Sequence, residues 1–168
     1  QCGALDAGKH FFGFARSGAQ SFRLGYRYDP ATDVWTPMAN DLFTPDCHGF
    51  DPSAVWTGTT MFYVGAEHFT DDTHWCKGSY VPATDTWGPM GSNAPDSWAR
   101  ERASLVWTGS EVLLFGGLRT DDFVEAAQDD LLRYSGGTWT LTDTDRSARA
   151  DHTAVWTGSE MIIWGGLV

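Results

Sequence analysis

The chain of 168 residues repeats itself with a period near 51, and this periodicity limits its fold more than any other feature. Turn glycines at positions 8, 58, 109 and 158 are 50, 51 and 49 residues apart, and tryptophans at positions 35, 87 and 139 are 52 residues apart. Two independent markers that share one period indicate a repeat architecture. The best-matched copies are residues 51–58, 102–109 and 151–158, with a degenerate copy at residues 4–8.

Each repeat is predicted to contain four short β-strands. The second strands are the apolar runs that follow the turn glycines, at residues 11–14, 61–64, 112–115 and 161–164. A variable loop leads to a third strand that ends at a tyrosine, and a proline-containing turn returns the chain to a fourth strand at a tryptophan. Proline presets φ in such a turn. We also expect one short helical turn, at residues 126–132.

A four-stranded repeat of about 50 residues is typical of a β-propeller blade. Three sets of residues make the chain resemble the kelch-repeat family, in the form common in bacterial secreted or surface proteins. These sets are the double glycines Gly116-Gly117 and Gly165-Gly166, the tyrosines Tyr28, Tyr80 and Tyr134, and the tryptophans Trp35, Trp87 and Trp139. At the positions of the double glycine, Ala15-Arg16 and Gly65-Ala66 depart from the pattern.

The resemblance implies an all-β, kelch-type β-propeller with blades at residues 1–46, 47–97 and 98–147 and a half blade at 148–168. About three and a half blades are too few to close a ring, since closed propellers have roughly 4–8. We therefore expect a partner at the open edge formed by residues 161–168. That partner is another protein chain, a second copy of this chain, or the remainder of a longer propeller.

The charge balance argues against two classes of partner. The chain has 11 Lys and Arg against 22 Asp and Glu, a formal net charge of -11, whereas nucleic acids and anionic membrane surfaces attract positively charged proteins. The longest apolar runs are far shorter than the roughly 20 residues of a membrane-spanning helix. We therefore expect neither a nucleic-acid partner nor insertion into a membrane.

A polar cluster in the second repeat is the candidate metal site. In a kelch-like blade, the loop between strands 2 and 3 and the connection from strand 4 to the next blade emerge on one face. The ligands that this face would bring together are His48, His68, His74, Asp71 and Asp72. Their irregular spacing matches no metal signature, so a solvated polar loop without a metal ion is the alternative. We expect no other cofactor.

The same face would hold two of the three cysteines, Cys47 and Cys76. The resemblance therefore favours a disulfide between them. A disulfide implies an oxidising compartment, so we expect a secreted or extracytoplasmic protein, in a periplasm or at a cell surface.

Five residues near that face are candidates for ligand binding: Trp75, Trp98, Arg100, Arg102 and Arg149. Exposed tryptophans suit protein or sugar contacts, and a row of guanidinium groups suits an anionic ligand. The alternative is that the tryptophans pack between blades and the arginines form ion pairs there. Five acidic residues between positions 121 and 130 could likewise bind calcium or a basic partner, or form a solvated loop.

No nucleophile elbow, phosphate loop, dinucleotide fingerprint or zinc-protease motif is found in the sequence. We therefore expect a non-catalytic module that binds protein or glycan, or that serves as a structural subunit. The alternative implied by the resemblance is a fragment of a kelch-type sugar-active enzyme, either a copper-radical oxidase or an epimerase-like protein. Such an oxidase would need tyrosine and histidine ligands, and Tyr63 and His152 are the candidates.

Overall fold

The protein is all-β. A computed structural model describes residues 4–6, 11–15, 24–39, 50–69, 72–121 and 124–168, and these residues contain sixteen β-strands and one short 3-10 turn at Asp96–Trp98. Within the described ranges there is no α-helix, and no helix is long and apolar enough to cross a membrane. The all-β prediction is therefore confirmed.

The strands form three four-stranded antiparallel sheets and two two-stranded hairpins. Sheet 1 contains β1 (Ala4–Asp6), β2 (Phe11–Ala15), β3 (Leu24–Asp29) and β4 (Val34–Pro37). Sheet 2 contains β5 (Phe50–Trp56), β6 (Met61–Phe69), β7 (Asp72–Val81) and β8 (Thr86–Gly88). Sheet 3 contains β9 (Ser104–Trp107), β10 (Val112–Phe115), β13 (Leu131–Ser135) and β14 (Thr138–Thr142). Hairpin 4 contains β15 (Thr153–Trp156) and β16 (Met161–Trp164).

Sheet 3 differs from the other sheets by an inserted hairpin, β11 (Leu118–Asp121) and β12 (Val124–Ala127). The helical turn expected at residues 126–132 is therefore wrong, because this segment ends β12 and begins β13. Its backbone hydrogen bonds go to distant partners. The Gln128 amide donates to the Gly117 carbonyl at 2.9 Å, and the Gln128 carbonyl accepts from the Arg149 amide at 3.1 Å.

The turn between the third and fourth strands sets a cross-strand aromatic pair in every sheet. Tyr80 lies opposite Trp87 across a four-residue turn, and Tyr134 lies opposite Trp139 across the two-residue turn Gly136-Gly137. Both glycines of the shorter turn have positive φ, as the tightest hairpin turns require. The different turn lengths therefore preserve the same tyrosine–tryptophan register.

The sheets pack face to face in chain order. Strand β5 contacts β1 and β9, and β9 contacts β15, so the first strands of successive units are neighbours. One core cluster lies between sheets 1 and 2, around Met38, Met61 and Tyr80. A larger cluster lies between sheets 2 and 3, and its centre includes Val64 and Leu114.

The double glycine ends the second strand of sheet 3. Gly116 and Gly117 have φ of +65° and +98°, and a Cβ on Gly117 would lie 2.7 Å from the Glu101 carbonyl oxygen and 2.9 Å from Ala103 Cβ. The chain that enters β9 thus crosses over this glycine. A Cβ on Gly116 would lie 2.9 Å from Cε1 of His152, which belongs to the next unit. Only glycine fits both the conformation and the space.

The departure from the double glycine in the second repeat has a structural consequence. There the residues are Gly65 and Ala66, and β6 continues through them to Phe69 instead of ending. Ala66 pairs with Trp75 in the long β6–β7 ladder, and its side chain is fully buried. The replacement of one glycine by alanine therefore accompanies a hairpin that is longer than the one in sheet 3.

We predict that Gly117→Ala destabilises the protein more than Gly109→Ala. Both glycines have φ close to +100°, but no atom lies within 4 Å of a Cβ built on Gly109. Gly109→Ala should therefore lower the free energy of unfolding by about 1–2 kcal/mol through backbone strain alone. Gly117→Ala should add about 1–3 kcal/mol for overpacking. Urea unfolding of both variants measures the difference, and equal losses would contradict the crossing described here.

Candidate functional site

In sheets 2 and 3, the tryptophan of the fourth strand binds the segment that leaves the preceding sheet. Trp87 Nε1 donates to the Ala39 carbonyl at 2.5 Å, and the Ala39 amide donates to Asp85 Oδ1 at 3.0 Å. Met38, one residue earlier, is buried against Met61. Residues 37–39, which begin at the last residue of β4, are called the first exit segment. Tyr80 with Trp87 is called the docking pair of sheet 2.

The next sheet makes a similar contact, one residue earlier in the segment. Trp139 Nε1 donates to the Met90 carbonyl at 3.0 Å, and both residues are buried. Asn93 then brackets the Trp139 backbone: its Oδ1 accepts from the Trp139 amide at 2.8 Å, and its Nδ2 donates to the Trp139 carbonyl at 2.7 Å. Residues 89–91 are the second exit segment, and Tyr134 with Trp139 is the docking pair of sheet 3. Both exit segments contain the dipeptide Pro-Met.

Asp85 supplies the charge at the docking pair of sheet 2. It lies at the end of the turn with φ of +52° and accepts from the Tyr80 hydroxyl at 2.6 Å. The hydrogen bonds from Tyr80 and from the Ala39 amide, together with the Arg27 guanidinium 3.9 Å away, lower the pKa of Asp85. Burial and the bond to Asp85 raise the pKa of Tyr80. At neutral pH the site is therefore a carboxylate that accepts from a phenol and an amide.

The docking pair of sheet 1 has a similar internal geometry. The rings of Tyr28 and Trp35 are 4.9 Å apart, as against 4.7 Å for Tyr80 and Trp87. Trp35 is 56% exposed, and no atom of the described residues accepts a hydrogen bond from its Nε1. The repeat position of Trp35 indicates a packed tryptophan, whereas the structure exposes it.

Hairpin 4 also exposes an apolar surface. Val155 lies opposite Ile162, and Trp164 is 80% exposed on the same face as both. The matching residues of sheet 3, Val106 and Leu113, are buried. Hairpin 4 covers these buried positions through its contact with β9, but no described residue covers the outer face of hairpin 4 itself. This surface lies within the predicted partner edge and the strand beside it.

The two tryptophans predicted to bind ligand occupy packed positions. Trp75 lies in β7 rather than in a loop, and its ring stacks on Trp139 at 5.9 Å. Its Nε1 donates to the Pro95 carbonyl at 2.9 Å, and Lys77 Nζ lies 5.2 Å from its ring centre. Trp98 ends the 3-10 turn and packs against the core between sheets 2 and 3. These contacts favour the alternative of packing between sheets.

The three predicted arginines are engaged with the protein itself. Arg100 is 1% exposed and forms an ion pair with Asp130. Arg102 Nη1 lies 3.8 Å from Asp151 Oδ2, an ion pair between sheet 3 and the next unit. Arg149 Nη1 donates to the Gly165 carbonyl at 3.0 Å. These partners favour a role between and within units over a row of guanidinium groups that faces a ligand.

The predicted metal ligands are only partly within the described residues. His48 and Asp71 lie outside them, while His68 is in β6 and Asp72 begins β7. His74 Nδ1 lies 3.3 Å from Asp96 Oδ2. In the part of the chain that the structure describes, no group of three His, Cys, Asp or Glu residues could hold a metal ion.

Cys76 is buried and disulfide-bonded. The other two cysteines, Cys2 and Cys47, both lie outside the described ranges. The Cys47–Cys76 pairing therefore stays a prediction.

His152 is a buried histidine that directly precedes hairpin 4. It is 8% exposed, and its ring lies edge-on to Phe115 with centres 5.6 Å apart. Among the described residues, neither ring nitrogen has a hydrogen-bond partner. Burial, followed by the nearby Arg149 guanidinium, lowers its pKa, and Asp151 opposes this in part. Since its carbonyl accepts from the Ser104 hydroxyl at 2.9 Å, His152 sits at the junction of sheet 3 and hairpin 4.

Comparison with protein-family models finds no match, and comparison with curated proteins finds none either. The kelch resemblance therefore stays a prediction from the residues that carry it.

We predict that acidification weakens the packing of hairpin 4 on sheet 3 through His152. Above the ordinary histidine pKa of 6.5, the imidazole is neutral in both the folded and the unfolded chain. Below that value the unfolded chain takes up a proton that the folded chain resists, so the free energy of unfolding falls as the pH falls. Urea unfolding between neutral and mildly acidic pH should show this loss in the wild type and a smaller loss in His152→Phe.

His74→Gln is the matched control, since His74 is an exposed histidine in β7. It should keep the acid sensitivity of the wild type. If His152→Phe loses as much stability on acidification as the wild type does, the buried imidazole is not its source.

Proposed function

We propose that the chain is part of a kelch-type β-propeller that works as a non-catalytic binding or structural module outside the cytoplasm. Its ligand would be a protein or a glycan. One observation carries the proposal: sheets 1 to 3 are joined in series by similar contacts, with the first strands adjacent and an exit segment bound by the tryptophan of the following sheet. Propeller blades pack in such a series around an axis.

The outer face of hairpin 4 is the proposed partner surface. The inner face of the hairpin already covers sheet 3, and the outer face repeats the apolar residues that sheet 3 buries in that contact. A contiguous exposed patch of this kind is typical of an interaction site. We propose that another protein chain or a further blade covers Ile162 and Trp164 and continues the edge at residues 161–168.

The disulfide-bonded Cys76 supports an extracytoplasmic location. Structural disulfides persist in oxidising compartments and are rare in the cytosol of most organisms. Cys76 is also buried in the second sheet, so its own sulfur is shielded from solvent.

We predict that the outer face of hairpin 4 drives self-association of the 168-residue chain. Ile162→Thr combined with Trp164→Thr removes two large apolar side chains that are exposed already, so folding should be retained. Sedimentation velocity over a range of concentrations should show larger species for the wild type and fewer for the double variant.

The matched control is Val124→Thr, which removes an apolar side chain exposed on β12, away from hairpin 4. It should associate like the wild type. A wild-type chain that stays monomeric at every concentration would contradict the proposal that this face requires a partner.

Two contacts argue against the sugar-oxidase alternative. Tyr63 faces sheet 1 and lies edge-on to Trp87 at 5.7 Å, whereas His152 lies beyond sheet 3, against Phe115. The two candidate copper ligands therefore belong to different interfaces. We predict that the purified full-length protein contains no stoichiometric copper by elemental analysis. If the protein contained one copper ion per chain and oxidised a sugar alcohol, the binding-module hypothesis would be wrong and the enzyme hypothesis would replace it.

A further inference from the structure

Hairpin 4 reproduces the contacts of an arginine that precedes the first strand of sheet 3. Arg100 donates from Nε to the carbonyl two residues before it at 3.0 Å, and from Nη1 to the Gly116 carbonyl at 3.3 Å. Arg149, one repeat later, donates from Nε to the carbonyl two residues before it at 3.4 Å, and from Nη1 to the Gly165 carbonyl at 3.0 Å. Each arginine therefore binds the first residue of a double glycine.

The two arginines differ in what faces the rest of the guanidinium group. Arg100 Nη1 and Nη2 both donate to the Asp130 carboxylate, and the Gly116 amide donates to the Asp130 carbonyl at 3.3 Å. Asp130 directly precedes β13, the third strand of sheet 3. In the described part of the chain, no carboxylate accepts from Arg149, and no carbonyl accepts from the Gly165 amide. Arg100 is 1% exposed, whereas Arg149 is only half-buried.

We propose that hairpin 4 binds an extended peptide strand led by an acidic residue, and that Arg149 and the Gly165 amide recognise this residue. The inference rests on the partner surface proposed above and adds the chemistry of the partner. The strand runs antiparallel to β16, in the register that β13 has beside β10. Its leading carboxylate accepts from Arg149, and the carbonyl of the same residue accepts from the Gly165 amide. No covalent bond is made or broken.

The chemistry of the guanidinium group is the reason to name a carboxylate. A guanidinium group carries a positive charge under all physiological conditions, and its planar fork matches the two oxygens of a carboxylate. The equivalent arginine in the same chain has that partner, at the one position where the strand beside it begins. A partner that covers Arg149 without an anion would instead bury an uncompensated charge, which is costly.

The apolar residues of β16 add a second requirement. In sheet 3, Leu132 is the second residue after Asp130, and it is fully buried opposite Leu114. Ile163 holds the position of Leu114 in hairpin 4. We therefore expect the partner strand to have an apolar residue two places after its acidic residue.

The test is a titration of the whole chain with capped peptides that carry fluorescein at the carboxyl end, followed by fluorescence anisotropy. The parent peptide copies residues 128–142, which include Asp129, Asp130 and the strands β13 and β14. Its Asp130→Asn and Asp129→Asn versions have the same composition and charge, and differ only in the position of the carboxylate. We expect Asp129→Asn to bind like the parent, and Asp130→Asn to bind about tenfold more weakly.

Variants of the chain test whether Arg149 recognises the carboxylate. Arg149→Gln should bind the two asparagine peptides equally, because no charged donor remains at the edge. Arg146→Gln is the matched control, since Arg146 pairs with its exposed neighbour Asp145, and it should keep the tenfold preference. The comparison of the two peptides on the wild-type chain does not depend on the folding of any variant.

Three results would overturn the inference. These are equal binding of the two asparagine peptides to the wild type, a preference that persists in Arg149→Gln, and no binding of the parent at millimolar peptide. Each of them leaves the proposed partner surface to be judged by the sedimentation of the Ile162→Thr and Trp164→Thr double variant, so the two proposals fail separately.

Discussion

An indole N–H that donates to a backbone carbonyl at the end of the preceding sheet is the contact on which this molecule depends. Each sheet has an apolar face, but apolar faces alone would allow neighbouring sheets to slide. The bonds from Trp87 to Ala39 and from Trp139 to Met90 fix the register between sheets. A buried indole N–H left without a partner costs about 1–3 kcal/mol, so the packing is directional as well as apolar. The order of the sheets follows from these bonds.

Short-range chemistry explains which parts of the fold could be predicted from the sequence. The apolar runs at 61–64, 112–115 and 161–164 lie in β6, β10 and β16, and the tyrosine–tryptophan spacing became a cross-strand pair even where the turn is shorter. The prediction of a helical turn at 126–132 was wrong because local composition does not reveal that the backbone of Gln128 forms hydrogen bonds with the backbone of Gly117 and Arg149. Tertiary hydrogen bonds outweighed helical propensity there.

The candidate sites were harder to predict, because exposure depends on neighbours and not on the residue type. Trp35 and Trp87 occupy the same repeat position, yet one is exposed and the other binds Ala39. Trp75 looked like a loop residue available to a ligand, but the extension of β6 and β7 places it against Trp139. The role of Asp85 was not predicted either. The signal for it is Asp33, which occupies the same position of the repeat 52 residues earlier.

The contact between Gly116 and His152 limits how freely the repeats can evolve. Gly116 ends a strand of one unit, while His152 begins the next, and a side chain at position 116 would collide with the imidazole. The Arg149 carbonyl oxygen is closer still, so position 116 must stay glycine whichever residue stands at position 152, 36 residues later in the sequence. If a unit were cut out at its glycine turn and inserted into another repeat array, its first strand would lack the neighbouring unit against which it packs here. Each repeat unit therefore fits its own neighbour at this turn, and units cannot be exchanged freely between positions.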